Sequence, residues 1–470
     1  MTNAAPHQGN TGKVGSAPAP TAQNRWAAPR NYRWTELWLL LFPSLFMLLG
    51  LVILLIEAGQ HIDLTAKQLP PLDAFTPVIG LLLALLGAHF ALIFVAPDAD
   101  QTLLPIAGML SSIGVLMALR LGRDLNQPTL GSKQLVFVIA GLGLSVLTVW
   151  ATRDLQWIRD YPYTWAIIGA LLVGVTLVHA GGFDPTAPSR DVLSVGNGAL
   201  SFQPSEIFKI CLVVFFAGYL SENLKVLSDG GYRLGPFTLP PVKNLAPLLV
   251  VLGLALLIVL FARELGLAVL ILGIFLAMLY AASARLSYIV MLGGIFAVGA
   301  IAIFRIFSYA RDRVSLITQA FDPKVYTGAP PLSSYQIVQG LVAFGSGGVF
   351  GQGLGLGHPT FVPAATTDYV AAAFAEEFGF AGLLALIAIF MLLLYRGMRI
   401  ATRSLNPFNQ LLALGLTSVF GLQTVVILAG NLKLMPLTGV PLPFVAYGGS
   451  SLLANFIIIG LLLRLSREKA

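Results

Sequence analysis

Glu206 and Lys209 stand three residues apart in the stretch Gln203-Pro204-Ser205-Glu206-Ile207-Phe208-Lys209, which opens a run that is otherwise apolar. Pro204 and Ser205 suit the first positions of a helix. A spacing of three puts the carboxylate and the ammonium on one helix face, where they can pair. Ionisable groups among apolar residues are costly unless paired or hydrated, so they mark candidate functional positions. Two readings stay open: an internal salt bridge that fixes helix packing, or a substrate-binding pair. The same choice applies to Arg263-Glu264-Leu265-Gly266, which joins two apolar runs with almost no loop. It reads either as a charge pair at a tight interfacial turn or as part of a binding site. Glu376-Glu377-Phe378-Gly379 begins another apolar run. Acidic residues there complement the helix dipole, an explanation that serves one of the two better than both.

Between these groups lies a stretch with a different chemistry. Arg311 and Arg313 precede Asp322-Pro323-Lys324. Asp-Pro is commonly a turn, yet a carboxylate on an aqueous face can also act as a general base. His358 has no second His or Cys near it and reads as a loop residue rather than a metal ligand. Gly351, Gly353, Gly355 and Gly357 alternate as in a phosphate cradle. No Lys-Ser/Thr follows them, which favours close backbone packing.

The surroundings of these residues are those of a membrane protein. Of 470 residues, 57% are hydrophobic and 10% charged, against about 25% charged in a soluble domain. This excludes a cytosolic or secreted globular enzyme. Apolar runs near 37–56, 77–96, 103–120, 135–152, 163–181, 205–221, 244–262, 265–283, 287–307, 378–396, 409–430 and 447–464 each approach the roughly 20 residues that a bilayer core requires. The expected fold is all-α: a polytopic transmembrane helical bundle of about 12 spans, with a partly re-entrant extracytoplasmic loop over about 308–377. Residues 1–35, rich in Ala, Pro, Gly, Asn and Gln, read as a disordered cytoplasmic tail rather than a cleaved signal peptide. Residues 36–200 form an N-terminal set of spans and 201–470 a core.

The net charge of +7 belongs to loops facing the cytoplasm and does not point to nucleic acid. Arg153, Arg159, Lys225, Arg233, Lys243, Arg396, Arg399, Arg403, Arg464 and Arg467 all fall on one side of such a bundle, which places both termini in the cytoplasm. Asp98 and Asp100 inside, and Arg120, Arg123 and Lys133 outside, fit that pattern poorly. Cys211, the single cysteine, lies in an apolar run and reads as a packing residue. No internal repeat supports a transporter architecture.

Taken together, several segments resemble the SEDS family of shape, elongation, division and sporulation proteins, the RodA/FtsW/SpoVE type. They are Gln203-Pro204-Ser205-Glu206 with Lys209; Arg263-Glu264-Leu265-Gly266, where the family often has Asp for Glu; Tyr335-Gln336 with Gln339; and the glycine-rich run from Ala343 to Gly355. Val362-Pro363-Ala364, Thr367-Asp368-Tyr369 and Ala375-Glu376-Glu377-Phe378-Gly379 follow. The most specific is the closing signature from Pro436-Leu437-Thr438-Gly439 to Tyr447-Gly448-Gly449-Ser450-Ser451. The N-terminal third resembles the longer RodA-like members.

The resemblance implies a membrane-embedded glycosyltransferase that polymerises lipid II into peptidoglycan, with a class B penicillin-binding protein as the transpeptidase partner. It implies Asp322 as the catalytic base, with Glu206, Lys209, Arg263, Glu264, Arg311, Arg313 and Glu376 binding substrate or bracing the cavity. The chemistry agrees. A diphosphate leaving group needs cations, which Arg311, Arg313, Lys324, Lys209 or a divalent ion could supply. The donor carries its own energy, so no nucleotide motif is required. The chain departs from the family at the essential Asp. Between Val314 and Tyr335 it has one Asp, Asp322, and no Glu, where the family has two Asp-Pro or Asn-Pro elements. The Trp-Ile segment that the family has before Gln-Pro-Ser-Glu is also absent, replaced by Leu193-Ser194-Val195-Gly196-Asn197. A flippase for the same lipid and a catalytically inactive scaffold are the alternative readings.

Overall fold

A chain that crosses hydrocarbon must satisfy its backbone hydrogen bonds internally, which makes helices of its apolar runs. The computed structural model describes residues 32–60, 75–179, 193–195, 200–229, 232–234, 237–239, 242–327 and 333–467. The expected N-terminal tail lies outside these residues up to position 31. The first elements are α1 (Trp34–Leu39), α2 (Leu41–Gln60), α3 (Thr76–Val95), α4 (Leu103–Asp124), α5 (Leu130–Ala151), α6 (Gln156–Asp160) and α7 (Pro162–His179). A small antiparallel pair, β1 (Leu193–Val195) and β2 (Leu200–Phe202), precedes α8 (Pro204–Glu222) and α9 (Leu224–Asp229). A second pair, β3 (Tyr232–Leu234) and β4 (Phe237–Leu239), leads to α10 (Val242–Phe261), α11 (Leu265–Ser283) and α12 (Leu286–Ile306). Then come α13 (Ser308–Thr318), α14 (Pro323–Tyr326), α15 (Tyr335–Ser346), α16 (Val370–Arg403), α17 (Pro407–Asn431) and α18 (Gly449–Leu465).

Among the described residues, 10 helices are long and apolar enough to cross a membrane, and two shorter apolar helices lie at Pro162–Thr176 and Gly449–Leu465. They occupy the expected spans. Helices α4 and α8 form the centre, each with 89% of its apolar stretch buried, whereas α12 has 6% buried and stands at the rim. The pairs α5 with α18, α7 with α8, and α16 with α17 pack most extensively. Alternation of span direction brings the starts of α5, α8, α11 and α18 to one end of the bundle, together with α13, α14 and α15. Trp34 and Leu465, the first and last helical residues described, lie at the opposite end.

Two boundaries differ from the sequence reading. Helix α4 runs on to Asp124, so Arg120, read as an outer-loop residue, is inside a helix and 2% exposed. Arg33, read as part of the tail, is also buried. It pairs with Glu36, and its Nη1 donates to the carbonyls of Ala96 at 2.8 Å and Ala99 at 3.0 Å. His89 Nδ1 lies 2.7 Å from Glu36 Oε1. This clasp fixes the start of the chain to the α3–α4 turn.

The re-entrant segment follows a specific logic. Helix α16 is broken at Gly379, which has φ 70°, a backbone region open chiefly to glycine. The backbone groups around the break are met by the glycine-rich run. Phe380 N–H donates to Gly348 O and Ala381 N–H to Val349 O, both at 2.9 Å. Gln352 and Gly353 N–H donate to the carbonyls of Glu376 and Glu377 at 3.0 Å. A Cβ on Gly351 would sit 2.1 Å from Glu377 O. Gly351 therefore serves close backbone packing, whereas a Cβ on Gly355 or Gly357 would meet the side chains of Glu57 and Glu377. Gly351→Ala should destabilise the chain by about 2–3 kcal/mol through overpacking and strain. Gly143, whose Cβ would meet nothing within 4 Å, is the control. Thermal unfolding in detergent reads the difference, and equal melting of the two variants would contradict this packing.

Candidate active site

The residues picked out by sequence fall into three groups at one end of the bundle. The first surrounds a small cavity. Gln203 is extended (φ −110°, ψ 96°) and Pro204 takes the first helical position of α8. Gln203 N–H donates to Ser450 Oγ of α18 at 3.0 Å. One turn in, Lys209 Nζ lies 2.8 Å from Glu206 Oε2 and donates to Gln423 Oε1 of α17 at 3.2 Å. Gln423 Nε2 in turn donates to Pro441 O at 2.7 Å. These links join α8, α17 and the segment after α17 around a cavity of about 40 Å³, lined among others by Glu206, Lys209, Glu264 and Thr438. That volume holds water but no sugar. Lys209 is 2% exposed, and its charge is met within the protein, which fits a brace rather than a diphosphate cation. Glu264 reaches the cavity from the α10–α11 turn. Arg263, half-buried at φ 64°, forms that turn and is not among the lining residues.

The second group lies on α13 and α14. Arg313 Nη1 donates to Leu437 O at 2.6 Å, one residue from Thr438 on the cavity wall. Asp322 is exposed and caps α14, its Oδ1 accepting from Lys324 N–H at 2.9 Å. Its surroundings are tied down. Ser334 Oγ donates to Ala320 O at 2.7 Å, and Lys433 Nζ sits 4.5 Å from the centre of the Phe321 ring. Arg311 and Lys324 are exposed; Arg311 Nη1 donates to Arg305 O at 3.2 Å. Asp322 does not line the Glu206–Lys209 cavity; the two are linked through Arg313 and the 432–448 segment.

Asp368, quoted in a motif but given no role from sequence, belongs with this group. It is half-buried just ahead of α16. Burial raises its carboxyl above the ordinary carboxylate range, and nearby Arg313 opposes the shift. Beside it, the buried Tyr369 hydroxyl has no hydrogen-bond partner among the described residues. Only the Thr-Asp-Tyr motif signalled this position in the sequence.

The third group is separate. Glu376 and Glu377 lie in the second turn of α16, with no acidic residue in its first turn, so the dipole explanation does not apply. Glu377 Oε1 accepts from Arg120 Nε at 2.8 Å. Arg120 Nη2 donates to Gly355 O at 2.8 Å and Gly357 O at 3.0 Å, while Nη1 lies 2.5 Å from Asp124 Oδ2. Glu376 Oε1 accepts from His358 N–H at 3.2 Å. Glu376 thereby holds the glycine-rich loop. Sequence spacing could not reveal Arg120, whose partner is 257 positions away. Among the described residues, no group of three or more His, Cys, Asp or Glu side chains is placed to hold a metal ion.

Glu377→Gln should cost about 3 kcal/mol, because it leaves the buried Arg120 guanidinium with only the partly exposed Asp124 carboxylate as counter-charge. Glu377→Gln combined with Arg120→Met should recover part of the loss; a double variant no better than the sum of the singles would argue against the pairing. Asp368 carries a separate signature. Its folded value lies above the ordinary 3.8, so folding takes up a proton, and stability falls as pH rises from 3.8 to that raised value. Asp368→Asn should flatten this slope and melt higher than the parent at neutral pH. Parallel melting curves against pH for the two proteins would refute it.

Known proteins resemble this chain in sequence and in fold. A family model described as "Cell cycle protein", the FtsW/RodA/SpoVE type, matches residues 99–470. Peptidoglycan glycosyltransferase RodA of Mycobacterium tuberculosis is 34% identical over 466 residues, 96% of this chain and 91% of that one. Stage V sporulation protein E of Bacillus subtilis is 32% identical over 342 residues, 71% of this chain and 86% of that one. A chain from a solved peptidoglycan synthase complex superposes with TM-score 0.59 at 23% identity, covering 78% of this chain and 98% of that one. RodA of Thermus thermophilus gives TM-score 0.54 at 23% identity, covering 79% and 97%. The structural likeness establishes the fold, and the sequence match over most of the chain establishes the kinship: this chain belongs to the FtsW/RodA/SpoVE family of cell cycle proteins.

Proposed function

We propose that the chain is a peptidoglycan glycosyltransferase that polymerises lipid II into glycan strands, with Asp322 as the general base. The relatives named RodA and FtsW carry the name peptidoglycan glycosyltransferase, and this chain covers nine-tenths of the RodA relatives' length. The observation that carries the reading is the bond from Arg313 Nη1 to Leu437 O. It holds the helix pair bearing the exposed carboxylate against the rim of the Glu206–Lys209–Glu264 cavity.

In the reaction the acceptor sugar hydroxyl attacks the anomeric carbon of the donor. The new C–O bond forms as the bond from that carbon to the diphosphate oxygen breaks, and Asp322 takes the hydroxyl proton. Arg311, Arg313 and Lys324 are the nearby cations for the departing diphosphate. A divalent ion bound chiefly by that diphosphate would add to them. The polyprenyl tail needs a surface open to lipid; α12, with exposed Val290, Ile295, Val298 and Ile301, offers one that leads directly into α13. Glu206, Lys209 and Glu264 act as braces, and Arg263 shapes the turn that presents Glu264.

The basic residues Arg153, Arg396, Arg399, Arg403, Arg464 and Arg467 lie at the opposite end of the bundle from Asp322. By the positive-inside rule that end faces the cytoplasm of the inner membrane, with both termini, and Asp322 faces outward. A class B penicillin-binding protein is the proposed partner. The similar fold in a complex that coordinates polymerization and crosslinking supports that choice.

Purified protein should elongate glycan from lipid II, and Asp322→Asn should lower the rate by about 10²–10⁴-fold while leaving thermal unfolding unchanged. Retained polymerisation in Asp322→Asn removes the carboxylate from the mechanism. Translocation of labelled lipid II without polymer by the parent would favour a flippase, and rescue of a deletion strain by Asp322→Asn would favour a scaffold.

A further inference from the structure

At the end of the bundle opposite Asp322, the ends of α3, α5 and α18 enclose a recess of about 560 Å³, lined by Val95, Asp98, Arg153, Arg464 and Arg467. Its volume is in the range of small-molecule sites, and it opens to the surface. Three guanidiniums face one carboxylate, so the recess holds an excess of two positive charges. The arginines are held in place. Arg464 Nε donates to Thr152 O and its Nη2 to Arg153 O, both at 2.9 Å. Arg467 Nη1 donates to Val95 O at 3.3 Å. The Arg153 guanidinium carbon lies 5.7 Å from the centre of the Trp150 ring. Arg464 and Arg467 are half-buried, and each retains further N–H groups beyond those bonds.

The electrostatics point the same way. Burial presses the Arg467 pKa down, Arg464 and Arg153 add to that effect, and Asp98 opposes it. Like charges held this close are short of a counter-anion.

The rim decides what kind of anion fits. Phe94, directly before Val95, is 75% exposed, and Trp150, beneath Arg153, is 53% exposed. Phe90 and Leu147 continue these apolar faces along α3 and α5. An anion with hydrocarbon chains would set its head among the guanidiniums and its tails against these side chains. We propose that this recess binds the phosphate of an anionic phospholipid headgroup, with the acyl chains on the exposed faces of α3 and α5. Planar guanidinium forks match phosphate oxygens geometrically, and basic pockets between membrane helices are suited to such headgroups. The site is distant from the glycosyltransfer chemistry and does not depend on it.

The full-length protein is incorporated into nanodiscs of equal parts phosphatidylglycerol and phosphatidylcholine, then released and weighed by native mass spectrometry. One phosphatidylglycerol should remain per chain, enriched about tenfold over phosphatidylcholine. Arg153→Gln and Arg467→Gln should each lower retention about fivefold. Asp98→Asn, which removes the opposing charge, should raise it. This opposite shift guards against a trivial folding defect in the arginine variants. Equal retention of the two lipids, or no change in any of the three variants, overturns the proposal. In a parallel arm, inorganic phosphate is added to protein in zwitterionic detergent. Stabilisation by phosphate that depends on Arg153, without preference for phosphatidylglycerol in the first arm, would assign the site to a soluble phosphate and reject the lipid.

Discussion

Inside a membrane bundle no bulk water can satisfy an interrupted helix, and this chain interrupts one at Gly379, close to its functional end. The interruption is tolerated because the glycine-rich run supplies backbone partners on both sides of the break and because Arg120 reaches across from α4. That one side chain meets Glu377, Asp124 and the carbonyls of Gly355 and Gly357. Helix α4 is almost wholly buried, so Arg120 is anchored to the centre of the bundle. The loop from Gly347 to Tyr369 inherits its position from there. Tyr447 N–H donates to Thr366 O at 2.8 Å, which joins that loop to the segment carrying Leu437, Thr438 and Pro441.

A division of labour among the charged groups follows. The buried charges Lys209, Glu206, Glu377 and Arg120 are paired within the protein and hold elements together, as a low-dielectric interior requires. Asp322, Arg311 and Lys324 are exposed, carried on short helices that Arg313 ties to Leu437. Asp368 stands between the two kinds, half-buried and facing Arg313. A helix pair that carries exposed chemistry on a buried frame suits a substrate whose sugars stay in water while its tail stays in lipid.

Much of this was legible in the sequence, because hydrophobic runs of span length leave few alternatives and the helices occur where the runs do. The Glu206–Lys209 pair was legible for a local reason: residues three apart on a helix meet whatever the rest of the fold does. The glycines were legible as packing residues because the side chains of a phosphate site were absent around them. Arg120 was not, since a lone arginine at the end of an apolar run looks like a loop residue until its partner, 257 positions on, is brought beside it. Glu376 and Glu377 lie inside α16 rather than at its first turn, because the start of the apolar run is not the start of the helix. Arg33 was lost because composition assigned it to a tail, when three backbone carbonyls of the α3–α4 turn bind it.

The central claim is that substrate meets the protein where α13, α14 and the 432–448 segment converge. Site-directed photocrosslinking tests it most directly. A benzophenone side chain is introduced in turn at Phe321, Leu434 and Trp157, and each purified protein is irradiated with radiolabelled lipid II. Label on the first two positions and none on Trp157, at the opposite end, is the expected result; label confined to Trp157, or spread equally over all three, would contradict the account.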